Sequence, residues 1–599
     1  LQRSNDFLHR RLAMESGPDK LLSMSPSPAA DEFAATRPKP AWWNRTGLLA
    51  AVLFAVILLN NSEALFRSHY YEEHDYAANS LQVLKAKQFR ETLGNYCRFG
   101  FHHPGPAFFY VFAWGEILFF DATHLVPTPF NGQLIASYAL NAFFFGATLA
   151  LIARRLGAAG RWFVGLSFLF AAWHFGAVGK FYEFIPGHFG MLCPWAPCFI
   201  VLPFLCLLVA AASVASGNGK DLPWMTLAAC FLIHGHVAMP LFVVPLTLLG
   251  YGLFWLETRP TSSQPWKLFP RQHWIAAATI ALFLLPIAID SFTARPSNLE
   301  RIVVHLQTSY GEGKGLLQSS LYFLHFGAYA AYPSEQPIPA FQTFDAAGLL
   351  SFFSLHWRAY GLWLASILLF VFLRKGEGTA SSEQLEVAKF RRRLGLILVI
   401  GTGLSLAWGT MQEGPMFDYN SLFNFAIYYG WLLMLALTAA LWIEKRLSAR
   451  CSRVAQSAVL IALVLITVAA FIHERRYFRA RPDEKGQRRF AAAVDTALAL
   501  DPSQPKFFNF DWQVGGETTR VALYLERRGI RWWVREDWPL LFGAERILKP
   551  GQLDQPAPTL SSSFWRLALH SSPNPTEGDP RAIVLPVTSE VDLVVHPGK

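Results

Sequence analysis

The chain has 599 residues, of which 53% are hydrophobic and only 16% charged, where a soluble globular chain carries about 25% charged residues. Its net charge of +10 lies in basic runs between apolar stretches, the arrangement of loops held on the cytoplasmic side of a membrane, and no basic stripe or nucleic-acid motif accompanies it. Composition therefore argues against a nucleic-acid-binding protein and predicts a mostly α-helical, polytopic membrane protein.

Residues 1–45 are polar, basic and rich in Pro, Ser and Ala, and read as a disordered cytoplasmic tail. The chain opens on Leu1 rather than Met, which points to a truncated N-terminus, and no cleavable signal peptide is visible. The membrane module covers residues 46–474. Its first span is Gly47–Phe66, preceded by Arg37, Lys39 and Arg45, which places the N-terminus inside. Arg67 to about Thr128 then forms a first outer loop.

Within that loop, Gly105–Phe120 is apolar enough to suggest a span, and charge decides against it. If it crossed, the basic loops Arg154–Arg161, Lys220, Arg259–Arg271, Arg374–Arg393 and Lys445–Arg453 would all fall outside. If it is interfacial, all fall inside. The later spans are then Gln133–Ala153, Trp162–Gly179, Trp195–Ser216, Trp224–His236, Ala238–Leu256, Trp274–Phe292, Tyr360–Leu373, Leu394–Thr410, Phe423–Ile443 and Ser457–Phe471, about eleven in all.

An odd count leaves the C-terminus outside. From Arg475 the composition becomes soluble, and residues 475–599 read as a small α/β domain on the outer face. Lys506–Phe510, Arg531–Val534, Ala582–Val587 and Val591–Val595 are expected strands, and Thr518–Arg528 an amphipathic helix. Thr293–Trp357 shows no clear span and reads as a mobile lid or acceptor-binding loop. Its Gly311–Gly315 run is a weak phosphate-loop pattern.

Among the six cysteines no metal-ligand spacing occurs. Cys198, Cys206 and Cys230 read as small core hydrophobes. Cys97 and Cys193 both fall outside, where two free thiols are favoured over a disulfide between them.

The chemistry gathers in the outer loops. The first carries Glu72, Glu73, His74 and Asp75, followed by a helix from Tyr76 to Arg90 amphipathic enough to lie flat. Asp75 at its start suits an N-cap. Next comes Arg98-Phe99-Gly100-Phe101-His102-His103-Pro104-Gly105-Pro106, where the prolines stiffen a turn that holds the histidines at the membrane surface. Lys180, Tyr182, Glu183 and His188 follow a later span. His234 and His236 close the short Trp224 span, and Glu413, Asp418, Tyr419 and Asn420 lie in another outer turn. For each of these alone a structural role is the simpler reading. The His pair has no carboxylate motif beside it, so no metal or other cofactor is expected.

The acidic cluster, flat helix, His-Pro-Gly-Pro turn, interfacial helix and Ala153-Arg154-Arg155-Leu156-Gly157 span end together resemble the first outer loop of the type C superfamily of polytopic glycosyltransferases. The resemblance is strongest over residues 45–250 and continues through Trp195-Ala196-Pro197, Leu202-Pro203-Phe204 and His234-Gly235-His236. It implies a transferase in the cytoplasmic membrane. A sugar on a polyprenyl phosphate would pass to an envelope glycan, lipid or protein on the outer face, with pentose (arabinofuranose) and hexose both open.

The resemblance also implies that an acidic residue of the first loop is the base. The family pattern is Asp-Glu or Asp-x-Asp, and this chain has Glu72-Glu73-His74-Asp75 instead; Asp75 is the first choice, because Tyr76-Ala77-Ala78 opens the flat helix as in family members, then Glu73, then Glu72. Arg98, His102, His103 and Lys180 are candidates for the phosphate, with Arg295 and Arg301 behind them. Two other readings compete. One is a transporter or flippase for a lipid-linked precursor, which calls for mid-membrane charges and repeated halves. The other is a non-catalytic envelope assembly protein.

Overall fold

The computed structural model describes residues 45–97, 99–178, 193–258, 270–308, 313–331, 382–413, 416–447, 484–502, 506–510, 512–534, 539–547, 564–572 and 579–596, with isolated positions between 354 and 371, between 458 and 469, and at 576. Among the described residues, six helices are long and apolar enough to cross a membrane. Each expected span that falls on described residues is helical. Those at Tyr360–Leu373 and Ser457–Phe471 lie largely outside them.

The chain runs through α1 (Thr46–Asn60), α2 (Ser62–Phe66), α3 (His74–Lys87), a short hairpin of β1 (Tyr96–Cys97) and β2 (Phe101–His102), and α4 (Ala107–Gly115), which continues as one π-helical stretch, Glu116–Ala122. Then come α5 (Pro129–Ala153), α6 (Gly160–Val178), α7 (Ala196–Phe199), α8 (Val201–Ala215), α9 (Leu222–Gly235), α10 (Met239–Thr258) and α11 (Arg271–Thr293). Helices α12 (Asn298–Thr308), α13 (Leu316–Ala331), α14 (Ser382–Thr410) and α15 (Asn424–Leu447) complete the described part of the module.

At 9 residues with a 7-residue π-helical continuation, α4 falls short of the about 20 that crossing takes. It packs on α5 with almost no gap. A Cβ on Gly115 would lie 2.4 Å from the Gly132 carbonyl oxygen, so only glycine permits that approach.

Two expectations change. The Thr293–Trp357 region is not a loop throughout. Helix α12 lies across β2, and α13 packs into the bundle against α14 and α15. Polar Gln318, Ser319 and Ser320 dilute the hydropathy of α13, although Ser319 is buried against α14. Nor does α3 keep the bare face that its amphipathic pattern suggests, because both of its sides are covered. Tyr76, Val83 and Ala86 pack into the membrane module's core, while Ala77 and Leu81 belong to the core of the C-terminal domain.

That domain is built of α16 (Glu484–Leu500), β3 (Lys506–Phe510), α17 (Gly515–Arg527), β4 (Trp532–Val534), α18 (Pro539–Phe542), β5 (Phe564–Leu569), β6 (Ile583–Pro586) and β7 (Val591–His596). The sheet order is β4-β3-β5-β7-β6. Strand β3 pairs parallel with both β4 and β5, whereas β7 is antiparallel to its neighbours β5 and β6. Trp532, Trp565 and Phe508 fill the core beneath it. Sequence periodicity misses β5 and α16.

The basic loops meet at one end of the bundle. Arg154 pairs with Asp221, Arg161 with Glu444 at 3.0 Å, and Lys389 and Arg393 each with Glu257 at 2.5 Å. The first outer loop, Trp195, His236 and the C-terminal domain gather at the other end. Cys193 is buried.

Candidate functional site

The site forms where α3 begins. Glu73 is extended (φ −120°, ψ 151°), so Glu72 and Glu73 project to opposite sides of the chain. Each meets an arginine from α17. Glu72, 5% exposed, takes Arg527 Nη2 at 2.5 Å. Glu73 takes Arg520 Nη2 at 2.9 Å and the Gln487 amide at 2.9 Å. Arg520 and Arg527 are seven residues apart, two turns or about 10.5 Å along one helix face.

Arg527 also clasps Glu116, its Nη2 at 2.8 Å from Oε1 and its Nη1 at 3.3 Å from Oε2. Glu116 is fully buried. Its remaining partners are Lys87 at 3.2 Å and Gln133 at 2.7 Å. Burial alone would raise its pKa, but Arg527, Lys87 and Gln133 more than offset that and hold the carboxylate ionised. Burial opposes the charge on Arg527 too, yet Glu116 and Glu72 raise its pKa further.

Asp75 differs from both glutamates. Its Oδ1 accepts a hydrogen bond from the Tyr96 hydroxyl, and its Oδ2 one from Trp195 Nε1 at 3.0 Å. Among the described residues no cation lies within ion-pair reach of it. Burial and the Asp75 charge push the Tyr96 phenol far above its ordinary value, so it stays a donor. The expected N-cap role does not appear. Glu73 occupies the cap position, Asp75 lies inside the first turn, and no side chain caps the helix. Trp195 ties a third loop to this carboxylate, and its ring stands 5.8 Å from Tyr419 in the outer turn before α15.

His74 sits at φ 48°, a region few non-glycine residues occupy. Its ring rests on the start of α17, where a Cβ on Gly516 would come within 2.1 Å of Nδ1. The C-terminal domain thus docks directly on the acidic loop.

The turn histidines are grouped as well. Asn298 accepts the His102 backbone N–H at 2.7 Å and donates to the His102 and His103 carbonyls at 2.9 and 3.4 Å. The His103 and His236 rings are 4.5 Å apart. His234 packs beneath Gly105 and donates to the Phe283 carbonyl at 2.8 Å. Arg295 turns its guanidinium back onto the carbonyls at the end of α11, and Arg301 is exposed. Arg98, Lys180, Tyr182, Glu183 and His188 lie outside the described residues, as does the side chain of Asp418. Among the described residues no three His, Cys, Asp or Glu side chains cluster as metal ligands.

Sequence reading missed Glu116, Arg520, Arg527, Tyr96, Trp195 and Glu91. Glu116 left a trace as a lone charge in an apolar run, and Arg520 and Arg527 as a pair seven apart on an amphipathic helix. Glu91 is 4% exposed with one carboxylate oxygen unpartnered. Burial raises its carboxyl to about 7, against the partial relief of Lys85 and two backbone N–H groups.

No protein-family model matches the chain, and no curated protein does. Among solved structures it is similar to ArnT from Cupriavidus metallidurans bound to undecaprenyl phosphate. The TM-score is 0.51 at 13% identity, over 92% of this chain and 97% of that one. The apo state of the same protein matches with a TM-score of 0.43 at 13% identity, over 91% and 97%. The first likeness gives the fold alone: this chain shares the overall architecture of that structure over 92% of its length.

Proposed function

We propose that the protein is a glycosyltransferase that moves a sugar from a polyprenyl-phosphate carrier to a cell-envelope glycan, lipid or protein on the outer face of the cytoplasmic membrane. The observation that carries this reading is the division among the carboxylates. Glu72 and Glu73 are each paired with an arginine, whereas among the described residues Asp75 is held by the neutral donors Tyr96 and Trp195 and by no cation. A carboxylate with no counter-cation beside it is placed to accept a proton. The shared fold supports the donor class, since the ArnT structure holds undecaprenyl phosphate.

In this reading the acceptor hydroxyl gives its proton to Asp75 as its oxygen attacks the anomeric carbon. The bond from that carbon to the phosphate oxygen breaks, and the polyprenyl phosphate leaves with the electron pair. Tyr96 and Trp195 keep the carboxylate aimed. Arg98 and Lys180 are the cations assigned to the departing phosphate. Tyr182, Glu183 and His188 are assigned to substrate contacts in the same outer region. Residues 1–45 lie inside and 475–599 outside.

The test is transfer of a labelled sugar from a polyprenyl-phosphate donor by purified Asp75→Asn protein. Turnover should fall by about 10²–10⁴-fold, the usual contribution of a general base, with donor binding retained. Wild-type turnover by Asp75→Asn together with Glu73→Gln and Glu72→Gln would end the catalytic reading of this loop.

A further inference from the structure

The turn histidines are alike in sequence but offer different chemistry. His234 is engaged at both nitrogens, with Nδ1 accepting from the Ala107 N–H at 3.3 Å and Nε2–H donating to the Phe283 carbonyl at 2.8 Å. His102 donates Nδ1–H to the Gly94 carbonyl at 3.0 Å, which leaves a lone pair on Nε2. That lone pair would repel a phosphate oxygen.

His103 and His236 have the opposite polarity. Nδ1 of His103 accepts the Val237 backbone N–H at 3.2 Å, and Nδ1 of His236 accepts that of Ala238 at 3.1 Å. A neutral imidazole with a bare Nδ1 carries its proton on Nε2. His103 is neutral because burial, with His236 and His102 alongside, holds its pKa well below the ordinary range. The two rings lie 4.5 Å apart, and among the described residues neither Nε2 has a protein partner. His103 is 8% exposed, and its Nε2 is not among the fully buried polar atoms left without a partner, so the donor stays open to an entering ligand. A metal ion at either Nε2 would force a proton onto an Nδ1 that faces a backbone N–H.

We propose that His103 and His236 form a pair of neutral N–H donors that binds a phosphate oxygen of the lipid-linked donor. The pair is drawn from two loops far apart in sequence. The grip of Asn298 on the carbonyls of residues 102 and 103 fixes His103 in place. This deepens the donor reading above and rests on it. It reassigns the phosphate contact from His102 with His103 to His103 with His236.

The experiment measures binding of undecaprenyl phosphate and of undecaprenol to the full-length protein in nanodiscs. His103→Leu and His236→Leu should each weaken undecaprenyl phosphate binding by roughly tenfold to a hundredfold, as expected for loss of a hydrogen bond to a charged group. Undecaprenol retention should not change. His103→Gln, which restores an N–H donor at similar reach, should recover most of the affinity, and a chelator should have no effect on the wild type. Equal weakening toward both lipids would mark a structural role and overturn the pair, as would unchanged affinity in both Leu variants. If the wild type binds no polyprenyl phosphate at all, the donor reading fails and the pair with it.

Discussion

Arg527→Met removes the one cation shared by Glu72 and Glu116 while keeping much of the apolar stem. Glu116, fully buried, would keep Lys87 at 3.2 Å and Gln133 at 2.7 Å. Glu72 would keep no cation among the described residues. Breaking a buried ion pair from one side costs about 3–5 kcal/mol, and here two carboxylates lose the same partner. The pH dependence should also invert. In the wild type the Glu116 pKa is depressed, so its contribution is present above the ordinary carboxylate value and is lost as pH falls through the folded pKa. In the variant, burial of Glu116 is no longer offset by its largest charge partner, and its carboxyl rises. Stability is then greatest at low pH and is lost as pH rises. Thermal unfolding in detergent at pH 5 and pH 8 reads this out. The variant should be far below wild type at pH 8 and closer at pH 5, and adding Glu72→Gln with Glu116→Gln should restore it. A variant that melts with the wild type at pH 8, or that Gln substitution does not rescue, would show that the triad holds nothing together.

Glu91→Gln should raise stability at pH 8 and flatten its pH dependence. The folded pKa is raised from 4.5 to about 7, so the stabilisation by protonated Glu91 is complete below about 4.5 and lost as pH rises through about 7. At about 1.36 kcal/mol per pH unit that is worth up to about 3 kcal/mol, and identical melting of variant and wild type at pH 8 would remove it. Gly516→Ala should loosen the docking of α17 on His74 by about 1–3 kcal/mol through overpacking, seen as a lower melting temperature that His74→Ala relieves. A phosphatase fused after Lys599 should be active and a cytoplasm-dependent fluorescent fusion dark, and the reverse pattern would refute the outward C-terminus.

Much of the membrane module is legible because its signals are local. Apolar runs of spanning length mark α5, α8 and α11, and basic loops pair at one end, as Arg154 with Asp221 and Lys389 with Glu257 show. Strand β3 matches its expected bounds because the Lys506–Phe510 run stands between polar turns. What fails is also local in origin. Strand β5 lies in the middle of the sheet, paired on both edges, and Arg566 breaks the apolar run that would announce it. Helix α13 is hidden because Gln318, Ser319 and Ser320 dilute its hydropathy, although of the three only Ser319 is buried.

The site shows a different limit. Glu72, Glu73 and Asp75 stand within four residues and look equivalent in sequence. What separates them arrives from far along the chain: Arg527 and Arg520 from the C-terminal domain, Trp195 from a turn between spans. The α17 pattern held a clue, since arginines seven apart on an amphipathic helix share one face, and Arg520 is buried there at 4% exposure. A buried arginine needs a carboxylate, but sequence alone does not say whose. The same reasoning explains why Ala77 and Leu81, on the far side of α3 from the membrane core, are apolar at all. They form part of the C-terminal domain's interior. The first outer loop is therefore shared between two cores, and the soluble domain supplies the arginines that pair with two of its three carboxylates.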